Sequence, residues 1–210
     1  MSDIITFYHN PMSRGRMVHW MLEECGAPYE VKLVDFNKRE HKAPSFVAIN
    51  AMGKLPTIVH KGVVITEVAA IITYLADAFP AAGLAPALDD PKRGAFLRWM
   101  FFGAGCVDSA IIDKMFSRPA PERPGAIGYG SFDDTINAIT LALKPAPYLL
   151  GEKFSAADLY ISAQLGWGTF MKVLQPSAEI GAYFERCSSR PASQRALAQG
   201  EEFTKRLQAA

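Results

Sequence analysis

The chain has 210 residues, half of them hydrophobic, and its 22 basic and 21 acidic residues leave a net charge of +1. This length and apolar content suit one large domain or two small domains with a buried core. The balanced charge argues against nucleic acid or an anionic membrane as a partner. The three cysteines are widely separated and lack zinc-site spacing, so we expect neither a disulfide framework nor a bound metal. With no signal-peptide pattern at the N-terminus, we expect a cytoplasmic protein.

The first 34 residues predict a strand, a helix and a second strand. Residues 3–9 form an apolar run rich in β-formers, and its lack of alternation suits a strand buried on both faces. Apolar residues recur with helical spacing from residue 13 or 14 to Cys25, and a glycine follows. Residues 29–34 alternate apolar and charged side chains, as a half-buried strand does. We expect parallel strands, because a helix connects them.

Residues 46–75 contain the most informative pattern of the chain. After an irregular stretch, Pro56 precedes a strand at 57–59, a Lys-Gly turn leads to a strand at 63–65, and Glu67 opens a helix. Proline at a strand start marks an edge or a turn, where a cis bond is an option. We expect free backbone groups before this proline and a carboxylate beside a helix N-terminus. Together these features predict a receptor for a peptide-like zwitterion.

The second half of the chain predicts helices alone after a proline-rich linker. The predicted helices span 92–116, 132–144, 159–173, 183–189 and 192–207. Ser155 and Asp158 form a capping box before the third of them. The apolar stretch at 99–107 lies between charged residues and is too short to cross a bilayer. The sequence therefore predicts an α/β domain at 1–80, a linker at 81–91 and an all-helical domain at 92–210.

Four motifs together resemble the glutathione S-transferase family and span nearly the whole chain. They are Tyr8-His-Asn-Pro-Met-Ser-Arg-Gly-Arg16 at the first helix, Asn50-x-x-Gly-Lys-Leu-Pro56 before the hairpin, Thr66-Glu67-x-x-Ala70-Ile71 at the third helix, and Gly151-Glu-Lys-Phe-Ser155-Ala-Ala-Asp158-Leu159 around the capping box. The first is most similar to bacterial and fungal members that place serine or asparagine near the thiol. The resemblance implies a thioredoxin-like N-terminal domain that binds glutathione, an all-helical C-terminal domain and a homodimer.

The resemblance also implies a set of glutathione-binding positions, which are His41, Lys54, Leu55, Pro56, Glu67 and Val68. Glu67 would bind the γ-glutamyl ammonium, and the Leu55 backbone would pair with the cysteinyl residue beside a cis Pro56. His41 or Lys54 would bind the glycyl carboxylate. The family commonly has serine where this chain has Val68, so we expect weaker or differently arranged binding of the γ-glutamyl carboxylate through the backbone N–H.

Thiol activation requires a donor for the sulfur. Lowering the thiol pKa from about 8.5 by about two units requires roughly 2.7 kcal/mol of preferential thiolate stabilisation. The Ser13 hydroxyl at the helix start is our first candidate, since a hydrogen bond to a charged group contributes about 1.5–3 kcal/mol and a helix N-terminus up to about 1 kcal/mol. Asn10 and Tyr8 are the alternative donors, and Arg14 and Arg16 are electrostatic helpers. The simpler interpretations are a helix cap at Ser13 and a β-former at Tyr8.

The expected reaction is attack of the glutathione thiolate on a small apolar electrophile, in a detoxifying conjugation, or on a peroxide oxygen. We expect the electrophile in an apolar cleft between the domains, with candidate pocket residues Met12, Trp99, Phe102 and Met115. The alternative is a non-catalytic binding or regulatory protein that kept the transferase fold. Disulfide exchange is disfavoured, because the loop that carries cysteine in dithiol relatives reads Pro11-Met-Ser-Arg14.

Overall fold

The computed structural model describes residues 3–119 and 122–209. The chain divides into two compact units, Met1–Ala82 with Arg190–Ala210 and Gly83–Ser189. The boundaries at 1–80, 81–91 and 92–210 remain a prediction. The grouping differs from them at the C-terminus, because residues 190–210 belong with the α/β unit and not with the helical one.

The first unit is built on a four-stranded sheet. Its strands are β1 (Ile5–His9), β2 (Tyr29–Leu33), β3 (Thr57–His60) and β4 (Val63–Thr66), in the order β2-β1-β3-β4. β1 and β2 are parallel, as expected, and the other two pairs are antiparallel. This topology confirms the thioredoxin-like fold. We expected β1 to be buried on both faces. It is fully buried on one face only, since its residues alternate between buried and half-buried.

Three α-helices lie within residues 3–82 of the first unit. They are α1 (Gly15–Cys25), α2 (Pro44–Val47) and α3 (Val68–Ala78). Gly26 ends α1 in the left-handed conformation that glycine adopts readily, with φ of 59°. The sequence analysis missed α2, because four residues are too few for a helical period to be visible.

The second unit is helical, as predicted. Its helices are α4 (Arg93–Phe102), α5 (Asp108–Met115), α6 (Phe132–Leu143), α7 (Ala156–Phe170) and α8 (Ala178–Ser188). α8 begins five residues earlier than expected. The Ser177 hydroxyl accepts a hydrogen bond from the Ile180 N–H and so caps the helix at this earlier position.

A continuous helical stretch runs from Arg93 to Met115. A π turn at Gly103–Val107 joins α4 to α5, so charged residues within the stretch do not end it. The stretch has 23 residues, and its most apolar 18-residue window has a mean hydropathy of 1.4, so by length and composition alone it could span a membrane. The apolar segment at 99–107 is therefore part of a longer helix, and its own length does not exclude a membrane span. The core helices of soluble proteins meet the same criterion, and 39% of the most apolar window is buried inside the protein.

The last helix, α9 (Pro191–Gln208), packs against α1. Arg190 donates from Nε and Nη2 to the two carboxylate oxygens of Glu24, at 2.7 and 2.8 Å. Arg195 Nε donates to the carboxylate of Glu23 at 2.7 Å. These ion pairs join residues about 170 positions apart, which explains why the C-terminal segment belongs to the first unit.

The capping box at the start of α7 is present, as predicted. Asp158 is fully buried. Its carboxylate accepts hydrogen bonds from the N–H and the hydroxyl of Ser155 at 2.9 and 2.7 Å. It also accepts from the Leu149 N–H at 2.8 Å and from the Tyr183 hydroxyl at 3.0 Å. Burial raises the pKa of the Asp158 carboxyl, and these four bonds oppose the rise.

Asp158 should therefore matter more for stability than an exposed cap does. Asp158→Ala leaves the N–H and hydroxyl of Ser155 and the N–H of Leu149 without this acceptor, whereas the Tyr183 hydroxyl keeps the backbone carbonyl of residue 158 at 3.3 Å. We expect the free energy of unfolding to fall by roughly 3 kcal/mol or more, at about 1–3 kcal/mol for each unpaired donor. The matched variant Ser155→Ala should cost only about 0.5–2 kcal/mol. Urea unfolding followed by circular dichroism measures both. Equal losses in the two variants would contradict the four-bond description.

Candidate functional site

Three chain segments with polar groups lie side by side at one end of the sheet. Tyr8 near the end of β1 is paired with Thr57 at the start of β3, and Thr57 is paired with Thr66 at the end of β4. The loop after β1, the segment before β3 and the residue after β4 therefore leave the sheet at the same end of the strands. Strands lie about 4.8 Å apart, so three neighbouring strands span about 10 Å, the length of an extended tripeptide.

Leu55 occupies the middle position at this end of the sheet. The Leu55–Pro56 peptide bond is cis, Pro56 is buried and Leu55 is half-buried. Within residues 3–119 and 122–209, no hydrogen bond uses the backbone N–H or C=O of Leu55. An extended ligand could therefore form backbone hydrogen bonds at this position, in the manner of an added strand.

Asn50 fixes the segment that leads to Leu55. Its Nδ2 donates to the Lys54 carbonyl at 2.9 Å and to the Thr57 hydroxyl at 3.0 Å, and its Oδ1 accepts from the Met52 N–H at 3.1 Å. Asn50 is itself buried. The asparagine of the second motif thus holds the loop before Leu55 in place through these three hydrogen bonds.

Glu67 stands at the neighbouring strand end, as the N-cap residue of α3. Its φ of 66° and ψ of 122° are unusual for a residue with a side chain. Such backbone conformations cost about 1–3 kcal/mol and cluster at functional sites. Glu67 is exposed, and its carboxylate has no hydrogen bond or ion pair with any described residue. Val68 begins α3, where the backbone N–H groups have no partner within the helix.

The loop after β2 supplies cationic and imidazole groups. The His41 ring packs on Phe36 with centroids 4.9 Å apart, and its buried Nδ1 has no hydrogen-bond partner among the described residues. Lys42 Nζ donates to the Met52 carbonyl at 2.9 Å. A side chain at Gly53 would lie 2.5 Å from the His41 carbonyl oxygen. The His41 loop therefore packs against the residues just before Leu55, and Lys54 in that segment is exposed.

Ser13 lies at the start of α1, and its hydroxyl bonds within its own loop. Ser13 Oγ donates to the Asn10 carbonyl at 2.7 Å and accepts from the Gly15 N–H at 3.0 Å. The second of these bonds is a local turn bond between residues two positions apart, while the N-cap residue of α1 is Arg14, which has no side-chain cap bond. Ser13 is half-buried and Arg16 is exposed.

The two alternative donors have different surroundings. Asn10 is buried, and its Nδ2 donates to the Val34 carbonyl at 2.8 Å, while its Oδ1 accepts from the Met12 N–H at 2.8 Å. Its side chain thus ties the loop to the end of β2. Tyr8 packs its ring against Phe46 at 5.6 Å, and side chains alternate along a strand, so it faces the side of the sheet opposite to His9.

The candidate pocket residues fall in both units. In the second unit, Trp99 is buried and meets Phe102 edge to face, with centroids 5.4 Å apart. The Arg98 guanidinium lies over both rings, 3.7 Å from the Trp99 centroid. Met115 is half-buried at the end of α5, and Met12 in the first unit is 79% exposed. A common pocket for these residues remains a prediction.

Comparisons with known proteins identify the family. Residues 4–77 match the model of the glutathione S-transferase N-terminal domain. The chain is 26% identical over 193 residues to glutathione S-transferase GstA of Escherichia coli O157:H7, which covers 90% of this chain and 96% of that relative. The chain belongs to the glutathione S-transferase family. The serine-type subclass remains a prediction.

Solved structures of glutathione S-transferases have the same fold as this family member. The ternary complex of the bacterial transferase BphK is similar with a TM-score of 0.78 at 27% identity, over 93% of this chain and 99% of that one. A sphingomonad glutathione S-transferase complexed with glutathione is similar with a TM-score of 0.76 at 28% identity, over 93% of this chain and 98% of that one.

Two residues that contact the site loops of this family member had no recognisable signal in the sequence. Lys42 looked like one surface lysine among several, and only the bond to the Met52 carbonyl distinguishes it. His9 had no spacing that favoured a role, yet its imidazole lies against Gly15 at the start of α1. Neither residue carries a signal that a single sequence reveals.

Proposed function

We propose that the end of the sheet formed by the β1 loop, Leu55 and Glu67 binds glutathione. We further propose that the protein conjugates the glutathione thiolate to a small apolar electrophile. The observation that supports this best is the pair of unused groups on neighbouring strand ends, the Leu55 backbone and the Glu67 carboxylate. The sphingomonad family member has glutathione bound, which supports the same ligand here. A zwitterionic tripeptide matches both the charge and the length of this end of the sheet.

Glutathione would lie across the strand ends in one direction. Glu67 binds the γ-glutamyl ammonium, and the backbone N–H of Val68 binds the γ-glutamyl carboxylate with the help of the helix N-terminus. The Leu55 backbone pairs with the cysteinyl residue next to Pro56. The glycyl carboxylate then reaches the side of the His41 loop, where His41 or Lys54 binds it.

The sulfur would face the start of α1, where Ser13 stabilises it as a thiolate. In the structure, the Ser13 hydroxyl donates to the neutral carbonyl of Asn10. Such a bond contributes about 0.5–1.5 kcal/mol, against about 1.5–3 kcal/mol for a bond to a charged acceptor. Rotation of the hydroxyl toward a thiolate is therefore favourable. Asn10 and Tyr8 are weaker candidates, because the Asn10 amide holds the loop and Tyr8 packs on Phe46.

The second substrate would be an apolar electrophile or a peroxide. We propose that Met12, Trp99, Phe102 and Met115 contact it. An apolar pocket discriminates by only about 1–3 kcal/mol per methylene, so the chemical class is proposed and not the compound. We also propose a cytoplasmic homodimer that acts in detoxification and needs neither metal, membrane nor nucleic acid.

A second function is favoured by one observation. The hydroxyl of Ser13 is bonded within its own loop, as in a structural turn. Together with Val68 in place of serine, this arrangement suits a glutathione-binding protein without catalysis. Such a protein would bind the tripeptide through Glu67 and Leu55 and leave the thiol protonated.

Two assays separate these functions. Calorimetry with glutathione tests binding, and absorbance assays with a generic aryl halide and with an organic peroxide test turnover. We expect binding and aryl-halide conjugation that increases with pH as the bound thiol ionises. Binding without turnover on either substrate would favour the non-catalytic function, and absence of binding would contradict both.

A further inference from the structure

His9, the last residue of β1, is fully buried beneath the loop that carries Ser13. Its ring stacks on Phe7 with centroids 4.7 Å apart and meets Phe203 of α9 edge to face at 6.0 Å. Both ring nitrogens are buried, and neither has a hydrogen-bond partner in the part of the chain that the structure describes. An unpaired buried polar atom is destabilising, so its presence requires an explanation.

The His9 ring faces the space in front of Gly15. A methyl group on Gly15 would overlap with His9 Nδ1 and would lie 2.9 Å from Ser13 Oγ. The imidazole nitrogen and the serine hydroxyl therefore border the same small space, which is open only because residue 15 is glycine. Ser13 Oγ accepts one hydrogen bond, from the Gly15 N–H, and a hydroxyl can accept two. Among residues 3–119 and 122–209, no donor uses the second acceptor position of the Ser13 hydroxyl.

His9 is neutral in this environment. Burial lowers the pKa of the imidazole to about 3, and the neighbouring His19 and Arg16 of α1 act in the same direction. A neutral imidazole has one N–H donor and one acceptor nitrogen. It can therefore donate a hydrogen bond next to a thiolate without adding a charge that titrates near neutral pH.

We propose that His9 is a positioning residue for the thiol-activating hydroxyl, whose oxygen accepts a hydrogen bond from His9 Nδ1–H when glutathione is bound. With the Gly15 N–H and His9 both donating to Ser13 Oγ, the hydroxyl proton turns from the Asn10 carbonyl toward the sulfur. Donation into a hydroxyl oxygen polarises the O–H and strengthens its bond to the next acceptor. Hydrogen bonds of this kind are often long before the ligand binds. This role rests on the proposed function, because it requires a thiolate at Ser13.

Three substitutions of His9 test the role. His9→Phe removes both nitrogens and keeps an aromatic ring on Phe7. His9→Asn keeps an amide near the position of Nδ1, and His9→Gln places its amide near that of Nε2. Ultraviolet titration of the bound thiolate and calorimetry with glutathione are the measurements. We expect His9→Phe to raise the pKa of the bound thiol by about 0.5–1 unit and to lower turnover at pH 7 by about 1.5- to three-fold. The glutathione dissociation constant should not change.

The two amide variants distinguish positioning from packing. His9→Asn should restore the wild-type thiol pKa, and His9→Gln should behave like His9→Phe. An unchanged thiol pKa in His9→Phe, with normal binding, would overturn the role of His9 and leave the proposed function intact. If His9→Phe does not fold, equal thiol pKa values in the Asn and Gln variants overturn it. Failure of the wild type to bind glutathione would instead contradict the proposed function.

Discussion

Replacing Ser13 by alanine is expected to raise the pKa of the bound glutathione thiol by about one to two units, because a hydrogen bond of about 1.5–3 kcal/mol to a charged acceptor is lost. Turnover at pH 7 should then fall by about three- to 25-fold, since the ionised fraction of a bound thiol with a pKa of about 6.5 falls as that pKa rises by one to two units. Glutathione affinity should change little, because Glu67, His41 and the Leu55 backbone would bind other parts of the tripeptide. Ultraviolet absorbance of the bound thiolate as a function of pH measures the shift directly.

The pH–rate profile and a matched variant complete this test. The profile of Ser13→Ala should shift to higher pH, so that activity partly recovers under alkaline conditions. Ser13→Thr keeps a hydroxyl and should keep the thiol pKa near the wild-type value. Loss of the local hydrogen bonds of the Ser13 hydroxyl should also cost Ser13→Ala about 0.5–1.5 kcal/mol of stability, whether or not Ser13 activates the thiol. An unshifted titration curve would make Ser13 a structural residue only and transfer the role to Asn10 or Tyr8.

Replacing Glu67 is expected to have the largest effect on glutathione affinity. Glu67→Ala removes the carboxylate that would bind the γ-glutamyl ammonium, at a cost of about 1.5–3 kcal/mol, or roughly ten- to a hundred-fold in affinity. Calorimetry with glutathione gives the dissociation constant of each form. An unchanged constant in a folded variant would mean that the ammonium binds elsewhere.

A glycine at the same position separates affinity from backbone strain. Glu67 has a φ of 66°, which glycine adopts readily and alanine does not. Glu67→Gly should therefore lose affinity as Glu67→Ala does, yet be more stable than Glu67→Ala by about 1 kcal/mol. Urea unfolding of the two variants makes the comparison. Equal stabilities would mean that the backbone at this position is unstrained.

Most of the first unit could be predicted from local sequence signals. Glycine and proline mark the end of α1 and the start of β3, and apolar periodicity distinguishes the helices from the strands. The place of α9 could not be predicted, because it depends on ion pairs such as Arg190–Glu24 between residues far apart in the chain. α2 was missed for the opposite reason, since its four residues are too short to show a period.

The candidate site was predictable where a motif fixes the backbone and not where a side chain acts through its surroundings. Leu55 and Glu67 follow from the proline turn and the helix start. The hydrogen bond from the Ser13 hydroxyl to the Asn10 carbonyl could not be predicted, because it depends on the geometry of the loop. The buried, unpaired nitrogens of His9 depend on packing against Gly15, and in the sequence His9 resembles any core histidine.

Proton release on glutathione binding tests the central claim most directly. If binding lowers the thiol pKa from about 8.5 to about 6.5, about 0.7 proton should be released per glutathione bound at pH 7. Calorimetry in two buffers with different ionisation enthalpies counts these protons, and S-methylglutathione, which has no thiol proton, should bind without release. We expect release with glutathione alone. Absence of binding, or binding with no difference between the two ligands, would contradict a site that holds glutathione as a thiolate.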